Sequence, residues 1–161
     1  MGEEGKITGG CLCGAIRYEA DHRPLVSVLC HCRMCQKHFG SLFSAALGFK
    51  PSGFRIMSGE PVSYQSSELV QRSFCGSCGS PVTYQRYDTK FVAVQMGTLD
   101  YPEKYEPKAH IYTDTKIPWV DIQSHLPDKT SEMPSYRASR TKSSYERTYK
   151  TIASLPKAKR T

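Results

Sequence analysis

The segment Leu29-Cys30-His31-Cys32-Arg33-Met34-Cys35 places three cysteines and a histidine in six consecutive positions. The chain has seven cysteines, and the other four form two close pairs, Cys11 with Cys13 and Cys75 with Cys78. Zinc sites in proteins are tetrahedral, with four protein ligands in structural sites and three in catalytic ones. Seven cysteines therefore raise the question of whether one site lacks a ligand or keeps a position open for chemistry.

The cysteine spacings favour metal binding over disulfides. An odd number of cysteines at CxC and CxxC spacings argues against a disulfide framework, because bonds between such close neighbours would constrain little of the chain. Residues 1–6 are acidic rather than apolar, which does not fit a secretory signal. No stretch approaches the ~18 apolar residues of a membrane helix. We therefore expect a soluble, cytoplasmic, metal-binding protein.

The formal net charge of +7 lies entirely at the C-terminal end. Residues 1–134 carry 14 basic and 14 acidic side chains, whereas residues 135–161 carry eight basic residues and one acidic residue. We predict a zinc-binding domain over 1–134 and a basic, mobile tail over 135–161. Tyr136, Tyr145 and Tyr149 lie among the tail's cations, a pattern that would permit weak, salt-sensitive binding of nucleic acid or an acidic partner. A solvated tail is the commoner outcome.

Short apolar runs separated by glycine- and proline-containing turns predict a mainly β fold. Strands are expected at Ala15–Ala20, Leu25–Leu29, Phe43–Leu47, Phe54–Met57, Leu69–Phe74, Pro81–Tyr87, Phe91–Met96 and His110–Tyr112. One short helical turn is expected from Arg33 to His38, over the central cysteine cluster. Residues 102–134 hold five of the ten prolines and are predicted to form an irregular closing arm.

Glycines distinguish the two outer cysteine pairs from the central cluster. Gly14 follows Cys13 and Gly79 follows Cys78, but no glycine follows Cys35 until Gly40. Zinc-binding turns commonly need a residue with positive φ after the second cysteine, and glycine adopts that conformation without steric cost. We therefore assign one closed structural site to Cys11, Cys13, Cys75 and Cys78. A second site, with an open fourth position, is assigned to Cys30, Cys32 and Cys35.

Spacing alone leaves other arrangements open. An outer cysteine can complete a site with Cys30, Cys32 and Cys35, or a histidine can close it. His38 lies about one helical turn past Cys35 and is the more reachable histidine. His31 lies between two ligands and is expected to point away from their metal. Three further histidines are expected to be ordinary surface or core residues: His22, His110 and His125.

Three segments carry a family resemblance: GGCLCGAIRYEA (9–20), LCHCRMCQKHFGS (29–41) and SFCGSCGSPVTY (73–84). In this order they resemble the glutathione-dependent formaldehyde-activating enzyme family, also called S-(hydroxymethyl)glutathione synthase, whose domain is shared with centromere protein V. The segments 97–100 and 110–119 also resemble the closing part of that family. The likeness runs from about Thr8 to Pro127.

The resemblance implies a β-tent fold of several small, coiled, antiparallel sheets with two zinc ions per chain. By position, the outer cysteine pairs fall on the family's structural zinc site, and Cys30, Cys32 and Cys35 fall on its catalytic zinc site. It also implies a carbon–sulfur lyase that joins glutathione and formaldehyde reversibly as S-hydroxymethylglutathione.

Three thiolates and an open position suit this chemistry. Their charges offset the +2 of zinc, and the metal can bind an incoming thiol as thiolate, lowering its pKa from about 8.5. A carbonyl held close by then gains the advantage of proximity. Candidate contacts to the substrate's carboxylates or amides lie on or beside the helical turn, although each can equally be a solvated surface residue: Arg33, Gln36, Lys37 and Ser41.

Two other functions stay open. A zinc hydrolase would carry water at the open position and act on an imine or a thiol adduct. A non-catalytic zinc module would use its basic tail to bind an acidic partner. In the lyase interpretation the partners are a small thiol, glutathione or a relative, and a small carbonyl, with no membrane.

Overall fold

The computed structural model describes residues 5–89, 91–122 and 125–126, together with the backbone of residues 128–129. Within this part of the chain there are eleven strands and one α-helix, α1 (Arg33–Phe39). The strands are β1 (Ile7–Gly10), β2 (Arg17–Ala20), β3 (Val26–Cys30), β4 (Ser44–Phe49), β5 (Phe54–Ser58), β6 (Val62–Ser67), β7 (Val70–Phe74), β8 (Pro81–Arg86), β9 (Phe91–Gln95), β10 (His110–Ile111) and β11 (Asp128–Lys129). The mainly β prediction is confirmed. The predicted tail, 135–161, lies outside the described residues.

Two sheets organise these strands. The smaller has the order β1-β2-β5 and is antiparallel throughout. The larger has the order β11-β10-β3-β4-β9-β8-β7-β6, and its strands are antiparallel except for β10, which runs parallel to both β3 and β11. The larger sheet therefore collects segments from almost the whole length of the described chain. No helix among the described residues could span a membrane.

All eight strands predicted from the sequence are present, with ends that differ by no more than two residues. Three strands were not predicted from the sequence: β1, β6 and the two-residue strand β11. β1, with the sequence ITGG, has a single bulky apolar residue, and β6, with the sequence VSYQSS, is largely exposed at the edge of the large sheet. Hydrophobic alternation is weak in both segments because neither buries a complete face.

The side chains of β4 and β9 alternate between two environments. Leu47 and Phe49 of β4, with Val92 and Val94 of β9, are at most 5% exposed and belong to the main hydrophobic core. Tyr18 of the small sheet packs in the same core, which therefore fills the space between the two sheets. Burial of each large side chain stabilises the fold by about 1.5–3 kcal/mol. The opposite face of β4 and β9 is free to line a cavity.

A close backbone approach holds β1 against the rest of the fold. Gly9 is paired with Tyr18 of β2 and forms a bridge to Leu99. A Cβ atom at Gly9 would lie 2.4 Å from both the Tyr18 hydroxyl oxygen and the carbonyl oxygen of Thr98. Only glycine leaves room for these two groups, and the Tyr18 hydroxyl also lies 2.7 Å from Thr98 Oγ1.

Gly9→Ala is expected to lower the free energy of unfolding by about 1–3 kcal/mol, because the added methyl group must displace backbone as well as the Tyr18 ring. Gly97→Ala is the matched control, since a Cβ atom there meets nothing within 4 Å. Chemical denaturation of both variants measures the difference. Equal stabilities of the two variants would contradict the close approach at Gly9.

Candidate metal centre

The outer cysteine pairs meet in a single cluster. The sulfur atoms of Cys11, Cys13, Cys75 and Cys78 all lie within 4.8 Å of one another. Cys13 Sγ is 3.5 Å from Cys11 Sγ and 3.8 Å from Cys75 Sγ. A tetrahedral zinc about 2.3 Å from each ligand would separate its sulfurs by about 3.8 Å. The donor set therefore fits a closed four-thiolate zinc site, and none of the seven cysteines forms a disulfide.

Glycines close the turns of this four-sulfur cluster. Gly14 has a φ angle of 79° and donates its N–H to the carbonyl of Cys11 at 3.1 Å. Gly79 has a φ angle of 73° and donates to the carbonyl of Cys75 at 2.8 Å. The backbone N–H of Ile16 points at Cys11 Sγ, 3.2 Å away. The expectation of positive φ after each outer pair is confirmed.

Hydrogen bonds also favour the thiolate forms of two of these ligands. Cys78 Sγ lies 3.3 Å from Ser80 Oγ, and the hydrogen bond with the Ser80 side chain lowers the pKa of Cys78 to about 5. The backbone N–H of Ile16 lowers the pKa of Cys11. A metal binds cysteine only as thiolate, so these contacts favour metal binding by Cys11 and Cys78.

The central cysteines form a second, separate cluster. Their sulfur atoms lie within 4.8 Å of one another. Cys30 ends β3, Cys32 is the N-cap of α1, and Cys35 lies in the first turn of that helix. Cys32 Sγ accepts a hydrogen bond from the backbone N–H of Cys35 at 3.4 Å, the contact expected of an N-cap side chain. One strand–helix junction therefore supplies all three sulfurs, as the predicted turn over Arg33–His38 required.

No histidine among the described residues joins either sulfur cluster. The His31 side chain points away from the central cysteines, and its Nε2 atom lies 2.8 Å from Nδ1 of His110. Both of these histidines are at most 1% exposed. His38, the more reachable ligand on sequence spacing, instead lies with Nδ1 3.0 Å from the Tyr64 hydroxyl. The described residues thus offer three ligands at the central cluster.

A cavity of about 80 Å³ adjoins the three-sulfur cluster. Its lining includes Cys30, Cys32 and Cys35, with Phe39 of α1 and Tyr84 of β8. The face of β4 and β9 opposite the main core forms its floor, and the small residues there leave the space open: Ala46, Gly48 and Ala93. A larger depression of about 380 Å³ lies elsewhere, beside β1, and no cysteine lines it.

Arg72 of β7 enters this cavity as a buried cation. It is 2% exposed, and its guanidinium carbon lies 5.0 Å from the ring centre of Tyr84 and 5.7 Å from that of Phe39. Nη2 is 3.6 Å from Cys35 Sγ, and Nε donates to Ser66 Oγ at 3.2 Å. Nη1 is buried without a hydrogen-bond partner.

Among the three central thiols, Cys35 is the one whose pKa is lowered. Hydrogen bonds from the Cys30 and Cys32 thiols hold the pKa of Cys35 well below its usual value, and the positive charge of Arg72 lowers it further. The same thiol contacts raise the pKa of Cys30. Arg72 was not predicted as a site residue, although a cation inside a strand that leads directly into a CxxC pair was a usable signal.

The four predicted substrate contacts lie outside the cavity lining. The Gln36 side chain is buried and hydrogen-bonded to the backbone. Its Nε2 donates to the carbonyls of His31 at 2.7 Å and Thr115 at 3.0 Å. Arg33 donates to the Gln36 side-chain oxygen. Lys37 and Ser41 are exposed. Substrate contact by these four residues stays a prediction.

His38 provides a pH-dependent test of this region. Burial, and secondarily the charge of Arg72, lowers the pKa of His38 to about 4. The unfolded chain, with an ordinary histidine pKa near 6.5, therefore takes up the proton first, and the fold loses stability as the pH falls from about 6.5 toward 4.

The stability advantage of wild type over His38→Gln is expected to shrink by about 1 kcal/mol between pH 7 and pH 5, because glutamine does not titrate. Urea denaturation of both proteins at the two pH values measures this difference. Effects of thiolate protonation are common to both proteins and cancel. A pH-independent difference would show that His38 keeps an ordinary pKa.

Comparison with known proteins assigns this sequence to a family. The family model described as glutathione-dependent formaldehyde-activating enzyme matches residues 6–115, which include all seven cysteines. No curated protein matches the chain. The crystal structure of a Rhodobacter sphaeroides protein, a structural genomics target, matches with a TM-score of 0.47 and 19% identity, covering 76% of this chain and 99% of that one. The chain belongs to the glutathione-dependent formaldehyde-activating enzyme family.

Proposed function

We propose that the protein is a zinc-dependent carbon–sulfur lyase that joins a small thiol, glutathione or a relative, to formaldehyde or a related small aldehyde. The observation that carries the proposal is the separation of seven cysteines into a set of four and a set of three, with the set of three lining a cavity. Membership of the formaldehyde-activating family supports the same reaction.

The two sulfur sets suit different tasks. Cys11, Cys13, Cys75 and Cys78 would hold a structural zinc, because four thiolates complete its coordination. The second set, Cys30, Cys32 and Cys35, would hold a zinc with one position left for substrate. When bound there, the metal would supply a Lewis-acidic site that stabilises the thiolate form of an incoming thiol.

The chain's own residues prepare the space in which the thiolate meets the aldehyde. Val26, Val28 and Ile111 give the cavity apolar walls, and Phe39 and Phe91 add aromatic surface. Such walls exclude bulk water, which strengthens electrostatic interactions inside the site and leaves the carbonyl carbon open to the sulfur nucleophile. The walls also hold the two reactants side by side, so that addition proceeds within one complex.

A hydrolase receives less support from the same cavity. Hydrolysis at a zinc-bound water commonly uses a general base or acid, most often histidine, glutamate or aspartate. None of these residue types is among the described residues that line the cavity. The only ionisable groups there are the three thiols, Arg72 and two tyrosines. This lining favours carbon–sulfur bond formation, in which the nucleophile is the substrate's own thiolate.

The reaction is tested by proton exchange spectroscopy of glutathione and formaldehyde at equilibrium. The protein is expected to accelerate exchange between free glutathione and its S-hydroxymethyl adduct, and Cys32→Ser is expected to abolish the acceleration. Ser58→Ala, at an exposed position on β5, serves as a control that leaves both sulfur sets intact. Absence of acceleration by the zinc-loaded wild-type protein would refute this choice of substrates.

Metal analysis tests whether the four-sulfur cluster holds a structural zinc and the three-sulfur cluster a second zinc that the fold does not need. Wild type is expected to bind two zinc ions, and Cys32→Ser one, with little change in unfolding temperature. Cys78→Ser is expected to lose its structural ion and to unfold about 10 °C lower, since a loss of a few kcal/mol shifts the midpoint by about 2–4 °C per kcal/mol in a chain of this size. Equal destabilisation by the two variants would instead indicate two structural sites.

A further inference from the structure

Resting on the proposed addition of a thiol to an aldehyde, we propose that Arg72 Nη1 binds the oxygen of the aldehyde and stabilises the negative charge it acquires as the carbon–sulfur bond forms. Arg72 would then be a catalytic residue of this protein, and its guanidinium would form a subsite for a small oxyanion. The cavity beside the three-sulfur cluster is the place where this oxygen would lie.

The contacts of Arg72 leave one side of the guanidinium for a ligand. Nε donates to Ser66 Oγ and Nη2 contacts the sulfur of Cys35, while the guanidinium carbon lies over the Tyr84 and Phe39 rings. Nη1 alone is buried without a partner. Leaving a buried donor unsatisfied costs about 1–3 kcal/mol, and more for a charged group. A ligand oxygen would remove that cost.

The position of Arg72 in the sheet fixes this geometry. Arg72 is paired with Tyr84 on β8 and with Tyr64 on β6, in the middle of β7. Directly opposed residues of neighbouring strands point to the same face of a sheet, so Arg72 and Tyr84 share the cavity face. The Nη2 contact sets the guanidinium beside Cys35, one of the three proposed ligands of the reactive zinc.

The size of the cavity favours an oxyanion of the reacting group over a distant carboxylate of the substrate. A cavity of about 80 Å³ is well below the roughly 300–1,000 Å³ of pockets that enclose a drug-sized ligand. That space admits the sulfur-bearing end of a thiol and a one-carbon aldehyde, whereas the body of a tripeptide would lie outside it. The anion that forms inside is therefore the alkoxide.

The step balances without a further reactant. The thiol first releases its proton to solvent, and a lone pair of the thiolate sulfur then forms the C–S bond while the C=O π electrons move onto oxygen. The alkoxide takes a proton from solvent and leaves as the hydroxymethyl thioether. Arginine stays protonated throughout, because its pKa exceeds about 12, so Arg72 acts through charge and hydrogen bonding rather than by proton transfer.

The charge of the cavity supports this role. Arg72 is the only lysine or arginine among the described residues that line it. Zinc with three thiolates would carry a net charge of about −1, and an added thiolate would bring the complex to about −2 before any alkoxide forms. Without a cation beside it, an alkoxide in this apolar space would be strongly disfavoured.

The proposal is tested by binding of two small thiols, mercaptoacetate and ethanethiol, to the zinc-loaded full-length protein by calorimetry. Mercaptoacetate presents an anionic oxygen close to its sulfur, where the alkoxide would form, and ethanethiol does not. Wild type is expected to bind mercaptoacetate at least about 10-fold more tightly. Arg72→Met is expected to lose this preference while keeping its affinity for ethanethiol, and Arg72→Lys to retain part of it.

Turnover gives a second readout. Arg72→Met is expected to lower kcat for adduct formation about 10²–10³-fold with little change in KM, the pattern of an interaction made mainly in the transition state. Arg55→Met is the matched control, because Arg55 is an exposed arginine on β5 that pairs with Glu19. Zinc content and the circular dichroism spectrum of each variant are measured alongside.

Equal affinity of the wild-type protein for the two thiols would overturn the proposal without any variant, even if Arg72→Met fails to fold. A preference that persists in a folded Arg72→Met protein would also overturn it. These results are separable from failure of the proposed function. Wild type can show an Arg72-dependent preference for mercaptoacetate and yet fail to accelerate adduct exchange. That result would support the anion subsite at Arg72 and contradict the proposed reaction.

Discussion

Four sulfur atoms from two distant segments meet in one cluster, and the placement of the central cysteines and their cavity depends on this meeting. Cys13 and Cys75 are 62 residues apart in the chain, yet their sulfurs lie 3.8 Å apart. Cys13 leads into the small sheet, and Cys75 directly follows β7 of the large sheet. Joining them fixes the two sheets against each other, with the main core between them. It also anchors the strand that carries Arg72.

Side chains on β4 and β9 of the large sheet alternate between two faces, one that packs in the main core and one that lines the cavity. On β4 and β9, the large residues such as Leu47 and Val94 face the main core, whereas Ala46 and Ala93 face the cavity. Gly48 is a third small residue on the cavity face, and the Phe91 ring occupies the space where a Cβ atom at Gly48 would lie. A change on the core face acts on packing, while a change on the other face acts first on the shape of the cavity.

The parts of this site that depend on local sequence were predictable. Both sulfur sets follow from cysteine spacing and from the glycines at positions 14 and 79, because a tight turn is determined by a few neighbouring residues. The cavity was not predictable, because residues from six strands, spread from Val26 to Ile111 along the chain, line it. Gln36 was predicted to contact the substrate because it follows Cys35 in the chain, but its side-chain amide donates to two backbone carbonyls. Arg72 reaches Cys35 only through strand pairing.

The parallel strand β10 sets a boundary on how far the protein can be shortened. The backbone N–H of His31 donates to the carbonyl of Ile111 at 3.0 Å, and the Thr115 hydroxyl donates to the carbonyl of His31 at 2.9 Å. A fragment that ends before residue 109 would keep every cysteine but would leave the edge of β3 open to pairing with other chains. A fragment that keeps these contacts must therefore extend at least to Thr115, so cysteine content alone is a poor guide for truncation, domain fusion or grafting of this metal-binding loop.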